Sequence, residues 1–323
     1  MRLIAYLDAS GHHRYGVGVE GGWARTSRLF SDAPIWDAAS LAIAGREAEG
    51  HRVRPMHELT PARPIWPGKI VCVGLNYRDH VAEGAGREAP EWPLLFAKFA
   101  NAVVADGEAI VRPEGTHALD LEVELGVVIG KLARRVADAD AMGHVAGYVV
   151  VNDVSARDWQ GNKAALAEGQ KGDGQWLRAK GSDTFLPMGP VFVTADELDP
   201  ASGVRLRSWR IPGPGRPGAG EPQLMQDGST VDMIFGIPAL VAFISRHITL
   251  EPGDLIATGT PSGVGVFRDP PVFLEPGDRV RCEIEGIGSV ENPIVDWTDD
   301  PREAIAAGPS VSGRIPMQTL DLD

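Results

Sequence analysis

The chain has 323 residues, enough for about two domains, and its 43% hydrophobic and 23% charged residues are typical of a globular protein. Its formal net charge of −13 argues against binding to nucleic acid or a membrane surface, because both need basic patches. The sequence has only two cysteines, which predicts neither a disulfide framework nor a four-cysteine zinc site. It shows no signal-peptide pattern and no long apolar run, and together with the cysteine count this predicts a cytoplasmic protein.

The amino-terminal residues 1–66 predict a small α/β domain, followed by a larger domain over residues 67–323. Two short strands, RLIAYL and YGVGVE, flank a polar turn, and an Ala- and Leu-rich stretch from Trp36 to Glu49 predicts a helix. The segment Thr60–Gly68, TPARPIWPG, carries three prolines, which stop a helix and favour an extended linker. We therefore place the domain boundary in this segment.

From Lys69 onward the pattern predicts a β-rich domain with few helices. Short apolar runs alternate with turn signals in IVCVG, LLFAKF, LEVELGVVIG, GYVVVND, GPVFVTAD, DLIATGT and VRCEIEG. Ile237–His247 is the clearest helix, and the Pro/Gly-rich residues Ile211–Glu221 predict an exposed hairpin connection. This mixture favours a barrel or sandwich over a doubly wound parallel sheet.

The first candidate for chemistry is the run NYRDHVAE, which begins at Asn76. If it is helical, His80 and Glu83 lie one turn apart, and the carboxylate can orient the imidazole as a general base. A surface histidine and glutamate on a short helix is an equally good interpretation. The glycines Gly84 and Gly86 then predict a hinge for a lid over residues 84–93, or a plain loop.

A row of acidic residues, Asp120, Glu122 and Glu124, precedes the apolar run LGVVIG. Alternate side chains of a strand share one face, so the three carboxylates are expected to line up together. Buried carboxylates in a row repel one another unless a cation compensates, and all-oxygen ligands suit Mg²⁺, Mn²⁺ or Ca²⁺. A solvated acidic strand face is the commoner meaning of this pattern, and it stays open for this segment alone.

Three further segments carry weaker signals. Asp153 and Arg157 follow the apolar GYVVV; Asp153 is either a third metal-binding carboxylate or part of a helix cap, and Arg157 can pair with a neighbouring acid. Lys180 precedes a Gly/Pro-rich turn, where it either points into a cleft or is solvated. The turn Gly259–Gly265 can hold a carboxylate with its backbone amides or be a plain tight turn, and its spacing matches no nucleotide-binding motif.

The order of these segments is more specific than any one of them. The successive motifs are GLNYRDHVAE, DLEVELGVVIG, GYVVVNDVSARDWQ, KGSDTFLPMGP, LEPGDLIATGTPSGVG and LEPGDRVRCEIEGIGSVEN. Together they resemble the fumarylacetoacetate hydrolase family over about residues 68–295. The first 67 residues resemble the variable amino-terminal region of that family only loosely.

The resemblance implies a mixed, β-rich α/β fold, a β-sandwich roll that pairs as a homodimer. It implies Mg²⁺ or Mn²⁺ held by Glu122, Glu124 and Asp153, with Asp120 behind them. The general-base dyad of the family falls on His80 and Glu83, and its substrate-contacting glutamine, lysine and threonine fall on Gln160, Lys180 and Thr260. Some acylpyruvate-cleaving relatives have an arginine where this chain has Leu75, and the segment between Ser202 and Gln226 is longer than usual.

Two enzymatic hypotheses follow from the resemblance. In the first, the enzyme hydrolyses a C–C bond of an acylpyruvate-type 2-oxo acid such as fumarylpyruvate: His80 takes a proton from water, Lys180 neutralises the developing charge, and Thr260 positions the carboxylate. In the second, the same site decarboxylates, tautomerises or dehydrates a 2-oxo or 2-hydroxymuconate-type acid. A non-enzymatic scaffold ranks last, because none of the ligand residues is lost.

Overall fold

The computed structural model describes residues 1–25, 36, 38–47, 52–84, 88–166, 172 and 174–302. Its strands in chain order are β1 (Arg2–Leu7), β2 (His13–Val19), β3 (Gly22–Arg25), β4 (Val53–Arg54), β5 (Thr60–Pro61), β6 (Ile70–Gly74), β7 (Leu94–Lys98), β8 (Val103–Ala105), β9 (Ile110–Arg112), β10 (Leu119–Asp120), β11 (Val123–Ile129), β12 (Val145–Asn152), β13 (Ser155–Ala156), β14 (Leu186–Met188), β15 (Val191–Thr194), β16 (Arg205–Ile211), β17 (Gln223–Ser229), β18 (Leu255–Ala257), β19 (Arg279–Ile284) and β20 (Gly288–Asp296). Its α-helices are α1 (Ala38–Glu47), α2 (Arg78–Glu83), α3 (Arg157–Gln160), α4 (Trp176–Gly181) and α5 (Ile237–His247).

Two sheets pack against each other to form the body of the fold. Within the described residues, the larger sheet has thirteen strands in the order β4-β3-β2-β1-β15-β12-β11-β18-β6-β7, with β5, β8 and β14 attached. The smaller sheet has the order β17-β16-β19-β20-β9. Its strands β16 and β19 bury alternate residues, as a sheet with one face on the core should, whereas β11 is buried along its whole length. The predicted β-rich, mixed α/β fold is confirmed.

The amino-terminal strands extend the larger sheet. Strand β1 pairs antiparallel with β15, with Ile4 opposite Val191, and the hairpin of β1 and β2 matches the two predicted strands. The buried Leu3 and Tyr15 belong to the same apolar cluster as Val149 in β12. The division of the chain near residue 67 stays a prediction, and residues before and after it share one sheet.

The two predicted helices and the predicted hairpin connection are present. Helix α5 spans Ile237–His247 and buries Ile237, Leu240, Val241 and Ile244, the spacing of one helical face. Helix α1 lies within the predicted stretch, whose Asp37 and last two residues are outside the described ones. The Pro/Gly-rich residues connect β16 to β17, and Asp278 holds them by accepting bonds from Gly213 N and Arg216. No helix among the described residues is both long and apolar enough to span a membrane.

Candidate active site

The acidic row lies where the chain passes from one strand to another. Strand β10 ends at Asp120, and β11 begins at Val123, so the run is not one continuous strand. Asp120 is outside the group of converging carboxylates: its Oδ2 lies 2.9 Å from Arg157 Nε, and its Oδ1 accepts a bond from Gly265 N at 2.8 Å. The register is the same on both sides of the interruption, with Asp120 opposite Ser155 and Val123 opposite Asn152, which supports the predicted alternation. Arg157 contacts both Asp120 and Glu122.

Three buried carboxylates do come together. Glu122, Glu124 and Asp153 each offer an oxygen, and these oxygens lie within 4.8 Å of one another. The pairing of β11 with β12 sets Val123 opposite Asn152, which places Asp153 beside the two glutamates. Asn152 Oδ1 accepts a bond from Glu122 N at 2.9 Å, so this segment fixes the acidic group, and helix α3 begins only at Arg157. We call Glu122, Glu124 and Asp153 the acidic triad.

Three buried cations surround the acidic triad. Lys180 Nζ lies 2.7 Å from Glu122 Oε2 and 2.8 Å from Asp153 Oδ2. Arg157 reaches the other oxygen of Glu122 at 2.6 Å, and Lys98 Nζ lies 2.7 Å from Asp153 Oδ1. Lys180 therefore points into the cleft, as one of its two interpretations predicted. Lys98 escaped the sequence analysis, because it ends an ordinary apolar strand.

The pKa of Glu124 is shifted in the opposite direction from that of Glu122. Burial by itself would raise the pKa of Glu122, but Arg157 and Lys180 outweigh it and hold that pKa below its usual value. Burial, reinforced by the charges of Asp153 and Glu122, raises the pKa of Glu124 well above its usual value. The hydrogen bond that Glu124 Oε2 accepts, from Gly259 N at 2.9 Å, comes from a neutral group. Among the residues that the structure describes, Glu124 therefore makes no ion pair of the kind that balances the charges of Glu122 and Asp153.

The acidic triad fits a hard divalent cation. Carboxylate oxygens are the preferred ligands of Mg²⁺ and Mn²⁺, and three of them converge here in a buried group. Lys98 and Lys180 pair with Asp153, Lys180 and Arg157 pair with Glu122, and Arg157 also pairs with Asp120. Glu124 is therefore the triad carboxylate that most needs further positive charge. The donor set and the uncompensated charge both favour a bound metal ion.

The predicted dyad forms on helix α2. His80 Nδ1 lies 2.9 Å from Glu83 Oε2, and His80 is buried. An ionised carboxylate only accepts hydrogen bonds, so Nδ1 carries the proton of the neutral ring and Nε2 is the basic nitrogen. Gly84 follows the helix, whereas Gly86 lies outside the described residues, and the lid over residues 84–93 stays a prediction.

The glycine-rich turn holds carboxylates of the protein itself. Its backbone amides at Gly259, Ser262, Gly263, Gly265 and Val266 donate hydrogen bonds to four different side chains, which are Glu124, Asp79, Glu83 and Asp120. Gly263 has a φ of 105°, and a Cβ there would lie 2.1 Å from Met225 O, so only glycine fits. The sequence indicated that these amides can bind a carboxylate, and the fold supplies four of them.

A cavity of about 240 Å³ connects these groups. Six of the eight predicted site residues line it, namely His80, Glu122, Glu124, Gln160, Lys180 and Thr260, while Glu83 and Asp153 lie behind them. Thr260 Oγ1 donates to Val123 O at 2.9 Å and accepts from Gln226, which fixes the hydroxyl. An apolar wall that includes Leu75, Phe96, Trp176 and Phe267 completes the lining. The cavity is smaller than the roughly 300–1,000 Å³ of sites for drug-sized ligands, so it suits a small metabolite.

The buried pair of Lys98 and Asp153 makes a prediction about stability. Lys98→Met leaves Asp153 with one ammonium partner fewer in a site that excludes water, and breaking such a buried pair costs about 3–5 kcal/mol. We expect the free energy of unfolding in urea, measured with chelator present, to fall by about that amount. Lys163→Met, at an exposed position, is the matched control and should change it by less than about 0.5 kcal/mol. Equal free energies of unfolding for the two variants would show that the pair of Lys98 and Asp153 does not stabilise the fold.

Comparison with known proteins places these features in context. The family profile described as fumarylacetoacetate (FAA) hydrolase C-terminal matches residues 69–295. Oxaloacetate tautomerase FAHD2B, mitochondrial, of Bos taurus is 44% identical over 259 residues, which are 80% of this chain and 76% of that protein. The human protein of the same name is 41% identical over the same shares of the two chains.

Solved structures are similar over almost the whole chain. The 5-carboxymethyl-2-hydroxymuconate delta-isomerase from Mycobacterium smegmatis is 34% identical with a TM-score of 0.70, covering 92% of this chain and 100% of that one. The fumarylacetoacetate hydrolase from Exiguobacterium antarcticum is 32% identical with a TM-score of 0.71, covering 92% of this chain and 99% of that one. The matches include proteins named as tautomerases, isomerases and hydrolases.

Proposed function

Since this chain belongs to the fumarylacetoacetate hydrolase family, we propose that it is a divalent-metal-dependent enzyme that interconverts the enol and keto forms of a small 2-oxo acid of the oxaloacetate type. The observation that carries the proposal is the shared cavity: His80 and the triad glutamates face the same small space. An oriented base beside a group of hard-cation ligands is what enol chemistry requires.

The basic nitrogen of His80 performs the proton transfer. Glu83 holds Nδ1, so Nε2 is free to take a proton from the carbon next to the 2-oxo group and deliver it to the 2-oxygen, which gives the enol. In the reverse direction, Nε2 takes the enol O–H proton and delivers it to the carbon. Glu83 is itself fixed, because its Oε1 accepts a bond from Gly263 N at 2.7 Å. The carboxylate stabilises the imidazolium that forms when the ring takes up the proton.

Three further residues line the cavity beside the substrate. Lys180, buried at the floor of the cavity, brings positive charge to the oxygen that becomes negative in the enolate. Gln160 Oε1 accepts a bond from Arg157 at 3.2 Å, which turns the donor end of the amide toward a substrate carboxylate. Thr260 lies at the same wall, but its hydroxyl hydrogen is donated to Val123 O, so Thr260 shapes the wall and does not donate to the substrate carboxylate.

Glu122, Glu124 and Asp153 would hold Mg²⁺ or Mn²⁺. When bound, such an ion polarises a carbonyl and stabilises an enolate by charge. The oxygen ligands alone discriminate weakly between these two ions, so both are expected to support activity.

Proton transfer is preferred to hydrolysis for two reasons. The relatives that are 41–44% identical over 80% of this chain carry the name oxaloacetate tautomerase. In addition, the apolar Leu75 lines the cavity where some acylpyruvate-cleaving relatives have an arginine. A substrate held mainly by its 2-oxo acid end fits this lining.

Hydrolysis of an acylpyruvate is the second candidate, and the dyad favours it. An imidazole oriented by a carboxylate can take a proton from water as well as from carbon, and water would then attack the distal carbonyl. The similarity to the Exiguobacterium antarcticum hydrolase, at 32% identity, also supports this candidate. A homodimer and a cytoplasmic location stay predictions; the bovine and human relatives are named mitochondrial.

The two functions differ in their products. With Mg²⁺ present, we expect the enzyme to accelerate the loss of the ultraviolet absorbance of enol-oxaloacetate far beyond the rate in buffer with Mg²⁺ alone. Acylpyruvates such as fumarylpyruvate should give little pyruvate plus second acid by mass spectrometry. Rapid release of those two acids, with no effect on the enol, would reverse the ranking; inactivity on all 2-oxo acids would refute both.

A further inference from the structure

Helix α2, which carries the dyad, is too short to position itself. It has six residues, and its N-cap residue Tyr77 makes no capping hydrogen bond through its side chain. Isolated helices of this length are unstable in water, because nucleation costs more than one turn of hydrogen bonds returns. The position of His80 must therefore be fixed by contacts between this helix and the rest of the fold.

Two carboxylates on one side of α2 provide such contacts. Asp79 and Glu83 are four residues apart, so their side chains share a helix face. Asp79 Oδ2 accepts bonds from Ser262 Oγ at 2.7 Å and Ser262 N at 3.1 Å, and Glu83 accepts from the next amide, Gly263 N. The helix is thus joined to two consecutive residues of the glycine-rich turn.

Asp79 also contacts the backbone of the base. Its second oxygen, Oδ1, accepts a bond from His80 N at 2.8 Å. One carboxylate therefore connects the His80 backbone with the turn, while Glu83 connects the His80 ring with the same turn. His80 is therefore held through its ring by Glu83 and through its backbone by Asp79.

The same turn is anchored to the acidic triad. Gly259 N donates to Glu124 Oε2, and Thr260 Oγ1 donates to Val123 O in the strand that carries Glu124. Gly259 has a φ of 95°, and a Cβ there would lie 2.8 Å from Asn76 Cβ, so the turn packs directly on the residues that precede α2. The turn therefore connects the triad at one end with the dyad at the other.

Resting on the proposed function, we infer that Asp79 and Ser262 are positioning residues that set the distance from His80 to the acidic triad. Asp79 does not line the cavity and acts through His80. Its carboxylate is needed because it accepts three hydrogen bonds at once. An asparagine has one acceptor oxygen, so its NH₂ group would face one of the same donors.

The test measures enol turnover and metal affinity in the same variants. Asp79→Asn should lower kcat for enol-oxaloacetate by about tenfold, since a misplaced reacting group is costly even when it is chemically intact. The Kd for Mn²⁺, measured by calorimetry, should stay within about twofold, because the triad is untouched. Asp8→Asn is the matched control: Asp8 accepts bonds from two backbone amides and pairs with Arg14, and it lies in the amino-terminal hairpin.

Combined variants separate this inference from the proposed function. In a His80→Ala background, Asp79→Asn should cause no further loss of enol turnover, and Ser262→Ala with Asp79→Asn should lose no more than Asp79→Asn alone. Full kcat in Asp79→Asn, beside a strong loss in His80→Ala, would overturn the inference and leave the proposed function intact. If His80→Ala keeps full activity, His80 is not the base, and the proposed mechanism is wrong. A weakened Kd for Mn²⁺ in Asp79→Asn would assign Asp79 to the metal site and also overturn the inference.

Discussion

We expect turnover to stop when divalent cations are removed with a chelator and to return when Mg²⁺ or Mn²⁺ is added in excess. The expectation rests on the acidic triad, whose three oxygens lie within 4.8 Å of one another in a buried group. Without a metal ion, Lys180 is the described cation that remains for the enolate oxygen, and its charge is shared with Glu122 and Asp153, so it polarises a 2-oxo acid much less than a divalent ion would. Loss of activity should be at least a hundredfold, in line with the several kcal/mol that such charge stabilisation contributes.

Single substitutions in the triad should show which carboxylate matters most. Glu124→Gln removes the ligand that lacks an ammonium or guanidinium partner among the described residues, and it should weaken Mn²⁺ binding more than tenfold by calorimetry. Glu122→Gln should also weaken binding, but it frees Lys180 and Arg157 from one partner and so disturbs the substrate side as well. Glu251→Gln, at the exposed pair with Lys69, is the control. Full turnover in chelator, with no metal found by elemental analysis, would remove the ion from the mechanism.

The local features of the site could be predicted from sequence, because they depend on periodicity. The two-residue spacing of Glu122 and Glu124 and the three-residue spacing of His80 and Glu83 are properties of strands and helices, and both pairs are where the pattern placed them. The strand β12 that ends before Asp153 was equally visible as a long apolar run. The functional roles of these residues stay predictions.

The features that sequence could not supply depend on contacts between distant segments. Asp79 meets Ser262 across 183 residues of sequence, and nothing in either local pattern indicates that contact. Lys98 likewise acquires its importance from Asp153 and from the backbone oxygens of Val154 and Phe185. Asp120 binds Arg157 and Gly265 N, which are 37 and 145 positions away in the sequence. In each case a tertiary contact decides the role.

The local sequence of the glycine-rich turn predicted what the turn can bind but not which residues it binds. Its composition correctly indicated that backbone amides were available to carboxylates. Which carboxylates would occupy them could not be read from the turn itself, since Glu83 comes from α2 and Glu124 from β11. The consequence is functional: these amides bind Glu83 of the dyad and Glu124 of the acidic triad, and so connect the two groups.

His80→Ala should separate reactions that need a base from one that needs only charge. Enol–keto transfer requires a group that accepts a proton, so it should fall by roughly 10²–10⁴-fold, the usual contribution of a positioned general base. Any acylpyruvate hydrolysis that the parent enzyme shows requires the same group and should fall with it. Decarboxylation of oxaloacetate needs charge stabilisation of the enolate and no base, so it should be far less affected. Glu83→Gln should act in the same direction as His80→Ala, because it weakens both the orientation and the basicity of the ring. Glu124→Gln should depress all the reactions together.

The measurement is kcat/KM for enol-oxaloacetate, an acylpyruvate and oxaloacetate decarboxylation at saturating Mg²⁺ in all three variants, with His57→Ala as an exposed-histidine control. Equal values for His80→Ala and the parent enzyme on the first two substrates would exclude His80 as the base. Equal loss of every reaction in His80→Ala would instead mean that the dyad shapes the acidic triad, and Mn²⁺ affinity would then fall in the same variant. The expected result is that His80→Ala loses proton transfer and retains decarboxylation. This result assigns proton transfer to the dyad and charge stabilisation to the acidic triad. The glycine-rich turn connects the two, because Gly263 N donates to Glu83 and Gly259 N donates to Glu124.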